Sequence, residues 1–136
     1  MQEEFARQHE IAWQHPDEIQ TKRLLLKRTI SADYNVTYYL LLNEVQIGYI
    51  TIHSDGEIWY FLHTPHLHGR QGFMTEAMNS VLQKSPRDHF YLDIVHDNIP
   101  SLALARKLGF IENVDDHPFK DMFCTPIHQR FFYTKA

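Results

Sequence analysis

Hydrophobic residues change their spacing several times along the chain, and each change marks an element. Over residues 3–14, Phe5, Ala12 and Trp13 fall near one side, while Glu3, Glu4 and Glu10 lie elsewhere. That pattern predicts an amphipathic helix, a helical arm over the first 18 residues that Pro16 ends. Residues 19–28 hold Leu24, Leu25 and Leu26 among Lys22, Arg23, Lys27 and Arg28, which predicts one strand with charged ends. Ser31, Ala32 and Asp33 supply turn chemistry. Residues 36–42 are rich in β-branched and aromatic types and predict a second strand. Asn43 and Glu44 make a tight turn into a third strand over residues 46–53, where Ile50 and Ile52 share a face. Ser54, Asp55 and Gly56 signal a hairpin into a fourth strand over residues 57–63. Such short connections predict an antiparallel meander.

The second half alternates helix and strand. A helix is expected over residues 74–83, stopped by Ser85 and Pro86. Residues 89–95 then form a strand with Phe90, Leu92 and Ile94 on one side and Tyr91, Asp93 and Val95 on the other. A strand, helix and strand in that order form a crossover unit, so the strands of residues 57–63 and 89–95 run parallel. Asp97 and Asn98 suit a helix cap, Pro100 its first turn, and Gly109 a left-handed stop. A short strand over residues 110–113, a polar loop to Pro126 and a closing strand over residues 129–134 complete the chain. No repeat or linker divides it, so one α+β domain over residues 1–136 is expected.

Between the fourth strand and the next helix lies Leu67-His68-Gly69-Arg70-Gln71-Gly72-Phe73-Met74-Thr75-Glu76-Ala77. A strand, a glycine loop and a helix start form an anion seat, because first-turn amides lack internal partners and the helix dipole favours negative charge. Gly69 and Gly72 permit close backbone approach, and Arg70 adds a forked cation. The same stretch also reads as an ordinary strand-to-helix turn.

Composition narrows the ligand. The 136 residues are 43% hydrophobic and 13% aromatic, as in globular domains. No apolar run approaches the ~20 residues of a membrane span. The net charge of −4 argues against nonspecific nucleic-acid binding but leaves room for a small polyanion at a local positive site. The single cysteine, Cys124, and an acidic N-terminus without a signal-like apolar core point to the cytoplasm.

Two stretches coincide in order: residues 69–77 above, and Asn98-Ile99-Pro100-Ser101-Leu102-Ala103-Leu104-Ala105-Arg106-Lys107-Leu108-Gly109-Phe110. Together they resemble the acetyl-CoA-binding motif and the following helix motif of the GNAT acyltransferase superfamily. Ile19 to Lys27, Ile47-Gly48-Tyr49-Ile50 and Glu57 to His63 resemble the branch of ribosomal-protein N-terminal acetyltransferases. The resemblance covers roughly residues 19–112. It implies a mixed, mostly antiparallel sheet of about six to seven strands with helices on both faces. It also implies an acyl-CoA-dependent N-acetyltransferase that moves acetyl from acetyl-CoA to a primary amine. The amine is open among a protein N-terminus, a lysine, a polyamine and a small drug-like molecule.

The resemblance further implies a splayed strand pair in which Phe61, Leu62 and His63 present backbone groups to the pantetheine arm. The diphosphate would sit on the amides of Arg70, Gln71, Gly72, Phe73, Met74 and Thr75 beside Gly69, with Asn98 and Ser101 near the arm. Acyl transfer to an amine needs a base, with Glu57 first and His63 second, and a proton for the departing thiol, with Ser101 as candidate. Each has a plainer reading: Glu57 as a hairpin-edge carboxylate, His63 as a surface imidazole, Ser101 as a cap.

Three features depart from the family pattern. Gly69 and Met74 stand at polar and small positions of the loop. Ala105 replaces a tyrosine that often serves as acid. Residues 29–35 are too few for the two helices usual between the first two strands. That leaves the acceptor side open and favours a homodimer. An alternative is a catalytically degenerate acyl-CoA-binding or protein-interaction module. His63, His66 and His68 form a weaker metal-binding pattern without an evident fourth ligand, so no metal is expected, and Cys124 has no evident activating partner.

Overall fold

The computed structural model describes residues 2–64, 68–69, 71–112, 117–119 and 122–135, with backbone alone for residues 2–6. Helix α1 (Gln2–Gln14) leads into seven strands: β1 (Glu18–Gln20), β2 (Leu25–Ile30), β3 (Val36–Leu42), β4 (Val45–Ile52), β5 (Ile58–Leu62), β6 (His89–Val95) and β7 (His128–Thr134). Helix α2 (Phe73–Lys84) lies between β5 and β6, and α3 (Ile99–Leu108) between β6 and β7. The first five strands form an antiparallel sheet in chain order, and β6 and β7 form an antiparallel pair. The two sheets meet at one parallel bridge, Glu57 with Tyr91. The α+β architecture and the parallel crossover match the expectation from the sequence.

The meander is held by its turns. Asn43 and Glu44 both take positive φ, at 50° and 70°, as a two-residue hairpin between β3 and β4 requires. Gly56, at φ 97°, turns β4 into β5, and its N–H donates to the His53 carbonyl at 2.9 Å. Only residues 31–35 join β2 to β3, closed by Ser31 N–H to the Asn35 carbonyl at 3.0 Å. No helix intervenes there.

Strand alternation sorts the side chains. Val36, Tyr38, Leu40, Ile50, Ile52 and Ile58 are buried in the core with Ala77, Met78, Val81 and Leu82 of α2. The opposite face of the sheet carries Tyr39, Tyr49 and Phe61 as a chain of ring contacts, with Tyr49 stacked on Phe61 at 5.9 Å, and Trp59 edge-on to His53 at 4.4 Å.

Three expectations need correction. Residues 110–112 form no strand, because Ile111 makes only an isolated antiparallel bridge to Phe132. Residues 19–28 are not one strand: β1 and β2 are the arms of a hairpin, paired Ile19 to Leu26. Thr21 N–H donates to the Leu24 carbonyl at 2.8 Å, and the Gln20 amide does the same at 2.9 Å, closing the turn. Trp13 does not share the buried side of α1. Ala12 is buried but Trp13 is exposed, with the Arg28 guanidinium 4.9 Å from its ring centroid. Phe5's side chain and Asn113 lie outside the described residues.

Helix α1 docks through His15. Its Nδ1 donates to the Ile11 carbonyl at 3.0 Å, and its Nε2 accepts from Ser85 Oγ at 2.8 Å. Arg28 donates to the His15 carbonyl at 2.6 Å, and the Tyr38 hydroxyl to the Pro16 carbonyl at 2.6 Å. This ring uses both nitrogens as a neutral imidazole. Burial depresses its pKa from 6.5 to about 4, aided by the Arg87 and Arg28 charges and opposed by the backbone bonds.

The sign of the linkage follows. The unfolded chain takes up this proton below pH 6.5 and the folded chain only near 4, so stability falls on acidification across that window. Urea unfolding at about pH 4.5 should give a stability about 2–3 kcal/mol lower than near neutrality from this group. In His15→Gln that part of the pH dependence should vanish, and an unchanged profile would refute the assignment.

Candidate active site

The site begins where strand pairing stops. Tyr91 N–H donates to the Gly56 carbonyl at 3.1 Å, next to the Glu57–Tyr91 bridge. Among the described residues no further backbone bond joins β5 to β6, so the strands diverge into a wedge. Register then decides which groups face it. The His53 N–H reaches the Glu57 carbonyl at 2.8 Å, and the His63 N–H reaches the Ile47 carbonyl at 2.7 Å. Antiparallel bonding alternates, so Glu57, Trp59, Phe61 and His63 spend their backbone groups on β4. Tyr60 and Leu62 turn theirs toward the wedge. Leu62 thus turns its backbone groups to the wedge, whereas Phe61 presents its side chain there and His63 lines none of these clefts.

Three clefts run into one another along this line. The first, about 270 Å³, fills the wedge between Tyr49, Ile58, Trp59, Tyr60 and Phe61 on one wall and Leu92, Asp93, Ile94 and Val95 on the other, with Asn98 and Ser101 at its floor. The second, about 300 Å³ and mostly apolar, shares Tyr60, Phe61 and Ser101 with the first and continues past Leu62, Gly69, Met74, Pro100 and Leu104. The third, about 530 Å³, opens over the entrance of α2, where His68, Gly69, Gln71, Gly72, Phe73, Met74 and Thr75 face Ala103 and Lys107.

That entrance is built to stay open. Gly72 is the N-cap at φ 78°, ψ 11°, without a side-chain cap, and its carbonyl takes the Glu76 N–H at 3.0 Å. The amides of Phe73, Met74 and Thr75 precede the first intrahelical bond and point outward. Met74 is itself buried, which reconciles a large side chain with close backbone approach. Arg23 lies over the Phe73 ring at 4.2 Å, and one of its terminal nitrogens is 3.5 Å from where a Cβ on Gly72 would stand. Glu76 fixes it, accepting from Arg23 Nε at 2.7 Å, Arg23 N–H at 2.7 Å and Thr21 Oγ1 at 2.6 Å. Burial alone would raise the Glu76 carboxyl, but these bonds outweigh it and hold it below the usual carboxylate range. Arg70 lies outside the described residues.

The helix after the wedge is set by its caps. Asn98 Oδ1 accepts the Ser101 N–H at 3.3 Å, Pro100 occupies the first turn, and Gly109 closes α3 at φ 95°. Asn98 and Ser101 are thereby joined at the floor of the wedge. Ala105 is fully buried, so its position faces the core.

Glu57 sits at the closed foot of the wedge. Burial raises its carboxyl, the Trp59 indole bond lowers it, and the Asp93 and Asp55 charges raise it further, leaving it above the ordinary value. Asp93 is already committed to Arg130, with Nε to Oδ1 and Nη2 to Oδ2 both at 2.7 Å. His63 stands beyond the end of β5, bonded to Gln46 at 3.2 Å and packed edge-on to Phe61. Among the described residues no group of three His, Cys, Asp or Glu side chains can hold a metal, and His66 lies outside them. Burial and Asp93 push the Cys124 thiol up, which disfavours a reactive thiolate.

Sequence reading passed over Tyr60, Lys107 and the Arg23–Glu76 clamp. Lys107 was findable: Pro100, Ala103, Leu104 and Lys107 recur at three and four, one helix face. Tyr60 and the clamp depend on contacts between distant segments and leave no local signal.

The model of the acetyltransferase (GNAT) domain matches residues 1–111. A search of curated protein sequences finds no match. A protein from Bordetella pertussis assigned to the GnaT acetyltransferase family superposes with a TM-score of 0.64 at 17% identity, covering 89% of this chain and 100% of that one. RimL, a ribosomal alpha-N-protein acetyltransferase in complex with coenzyme A, gives 0.57 at 14%, covering 74% of this chain and 62% of its own. Spermidine N-acetyltransferase from Vibrio cholerae, in complex with CoA and spermine, gives 0.58 at 16%, covering 74% and 66%. With the domain model spanning most of its length and the wedge and helix entrance in place, the chain belongs to the GNAT acetyltransferase family.

Proposed function

We propose that this protein is an acyl-CoA-dependent N-acetyltransferase that moves acetyl from acetyl-CoA to a primary amine. The observation that carries the reading is the continuous groove from the wedge to the entrance of α2. Acetyl-CoA supplies the activated acetyl group as a thioester with a long, amide-bearing arm and a diphosphate. The residues present suit it. The outward backbone groups of Tyr60 and Leu62 pair with an extended arm as a neighbouring strand would. The apolar cleft at Met74, Pro100 and Leu104 takes its methylene parts. The open amides of Phe73, Met74 and Thr75 hold the diphosphate, with Lys107 lining the same cleft and Arg23 close by.

The acceptor enters from the Trp59 and Phe61 side, where these rings are 56% and 50% exposed. Glu57 takes the amine proton directly or through water, its raised pKa matching it to that task. Asn98 holds Ser101 at the floor of the wedge through the cap bond. The reading extends to a cytoplasmic protein, for which the free Cys124 is suited, and to a homodimer that covers the exposed rings. No helix among the described residues is long and apolar enough to cross a membrane.

Titration calorimetry should show acetyl-CoA binding to the wild-type chain. Gly72→Glu places a carboxylate at the diphosphate seat and should weaken binding more than about a hundredfold. Absence of wild-type binding, or unchanged affinity in the variant, sinks the assignment. Thiol release should be measured with a panel of a polyamine, an alkylamine and a peptide N-terminus.

Only ionised Glu57 accepts a proton, so activity should fall as pH drops through its raised pKa, above the usual carboxylate range. An acceptor of low basicity keeps its own titration out of the profile. Glu57→Gln should abolish that acidic limb and lower kcat/KM about a hundredfold. A limb that persists in the variant assigns the base elsewhere. Light scattering that gives a monomer at assay concentration removes the homodimer.

A further inference from the structure

The foot of the wedge is tied by more than backbone. Besides its N–H bond to Gly56 and its bridge to Glu57, Tyr91 donates its hydroxyl to Asp55 Oδ2 at 3.0 Å. The other oxygen of that carboxylate, Oδ1, accepts the Glu57 N–H at 3.0 Å. One carboxylate thus joins a side chain of β6 to the main chain of Glu57, across the line where the strands begin to part. Tyr91 is buried and held from two sides: the Arg130 guanidinium lies 4.6 Å from its ring centroid, and the Phe119 ring centroid lies 5.1 Å away. The same Phe119 ring packs against the turn, where a Cβ on Gly56 would fall 2.5 Å from it. Asp55 is exposed, so without these two bonds its carboxylate would be hydrated and free to turn. Around the Glu57 carboxylate stand Asp55 of the turn, His53 following β4, the Trp59 indole of β5, Tyr91 and Asp93 of β6, and Cys124 from the segment before β7. Asp93 is answered by Arg130, whereas Asp55 is met by a phenol and an amide, both neutral.

Resting on the acyl-CoA reading with Glu57 as its base, we infer that Tyr91 and Asp55 are positioning residues for acetyl transfer: the phenol holds the Asp55 carboxylate, which fixes the Glu57 main chain and stands as a set negative charge beside the base. The base must meet an amine delivered through the wedge, and a misplacement of about 1 Å costs on the order of a hundredfold in rate. Because Tyr91 belongs to the opposite wall, the tie registers the base against the gap itself rather than against its own hairpin. A hydrogen bond to a carboxylate is about twice as strong as a neutral one, which suits it to that task. Burial and the Asp55 contact hold the phenol above its ordinary range, so it remains a donor throughout the working pH range. The Asp55 charge also disfavours ionised Glu57 and makes it the stronger base once ionised.

The test follows acetyl-CoA binding by calorimetry and thiol release across pH with an acceptor of low basicity. Tyr91→Phe keeps the ring and the N–H and removes only the hydroxyl. Its kcat should fall about threefold to tenfold, the worth of one hydrogen bond, with acceptor KM and acetyl-CoA affinity within about twofold of wild type. Asp55→Asn keeps an acceptor for the Glu57 N–H but removes the charge, so the acidic limb should move to lower pH. Adding Tyr91→Phe to Asp55→Ala should cost nothing further, because both act through one bond. A kcat within twofold of wild type in Tyr91→Phe, an unmoved limb in Asp55→Asn, or losses that multiply in the double variant overturn the inference. So does a loss of acetyl-CoA affinity in Tyr91→Phe, the mark of a phenol that only holds the fold. These outcomes leave the acyl-CoA reading intact. A limb that persists in Glu57→Gln removes the base and this inference together, and failure of wild type to bind acetyl-CoA removes the whole reading.

Discussion

Two strands that start as neighbours and then part company set the terms for everything else in this molecule. The bond from Tyr91 to the Gly56 carbonyl fastens them at one end. Past it, the β5 backbone keeps one edge satisfied by β4 and leaves the other edge to whatever enters. A buried main-chain donor or acceptor without a partner is costly, so a free edge of this kind is tolerated only where water or a ligand reaches it. The wedge is therefore both a weakness in the sheet and the reason the sheet can bind.

Several elements keep the gap from closing or widening. Arg130 anchors Asp93 on one wall and packs over Tyr91 at 4.6 Å. The same guanidinium donates to the Met122 and Phe123 carbonyls at 2.6 Å, tying the segment before β7 to the foot of the wedge. On the other wall Gly48 is obligatory, because a Cβ there would fall 2.2 Å from the Phe61 carbonyl oxygen. The floor is set by the Asn98 cap. The strand ladder, the ion pair and the helix cap, each of modest strength, thus converge on one short stretch of β5.

Much of this was readable from residue order. Alternation over residues 36–63 placed the meander, and Asn98 and Gly109 placed both ends of α3. The hairpin within residues 19–28 was not readable, because its turn is stabilised by Glu76, more than fifty residues away. Trp13 misled for a related reason: the Arg28 guanidinium gives its ring a partner at the surface, which an apolar tally of the helix does not register. Which β5 residues offer their backbone to the groove depends on register, and a slip of one residue reverses the answer. Leu62 turns its backbone groups to the wedge, whereas Phe61 and His63 turn theirs to β4.

The clamp on Glu76 has an electrostatic side. An acid in the first turn of a helix is drawn to the positive end of the dipole, where it competes with any incoming anion. Here that carboxylate is turned aside and saturated by three donors from the β1–β2 hairpin. The opening turn of α2 thereby keeps its unspent positive character for a guest, and the hairpin that opens the sheet acts as a shield between a protein's own charge and its ligand's.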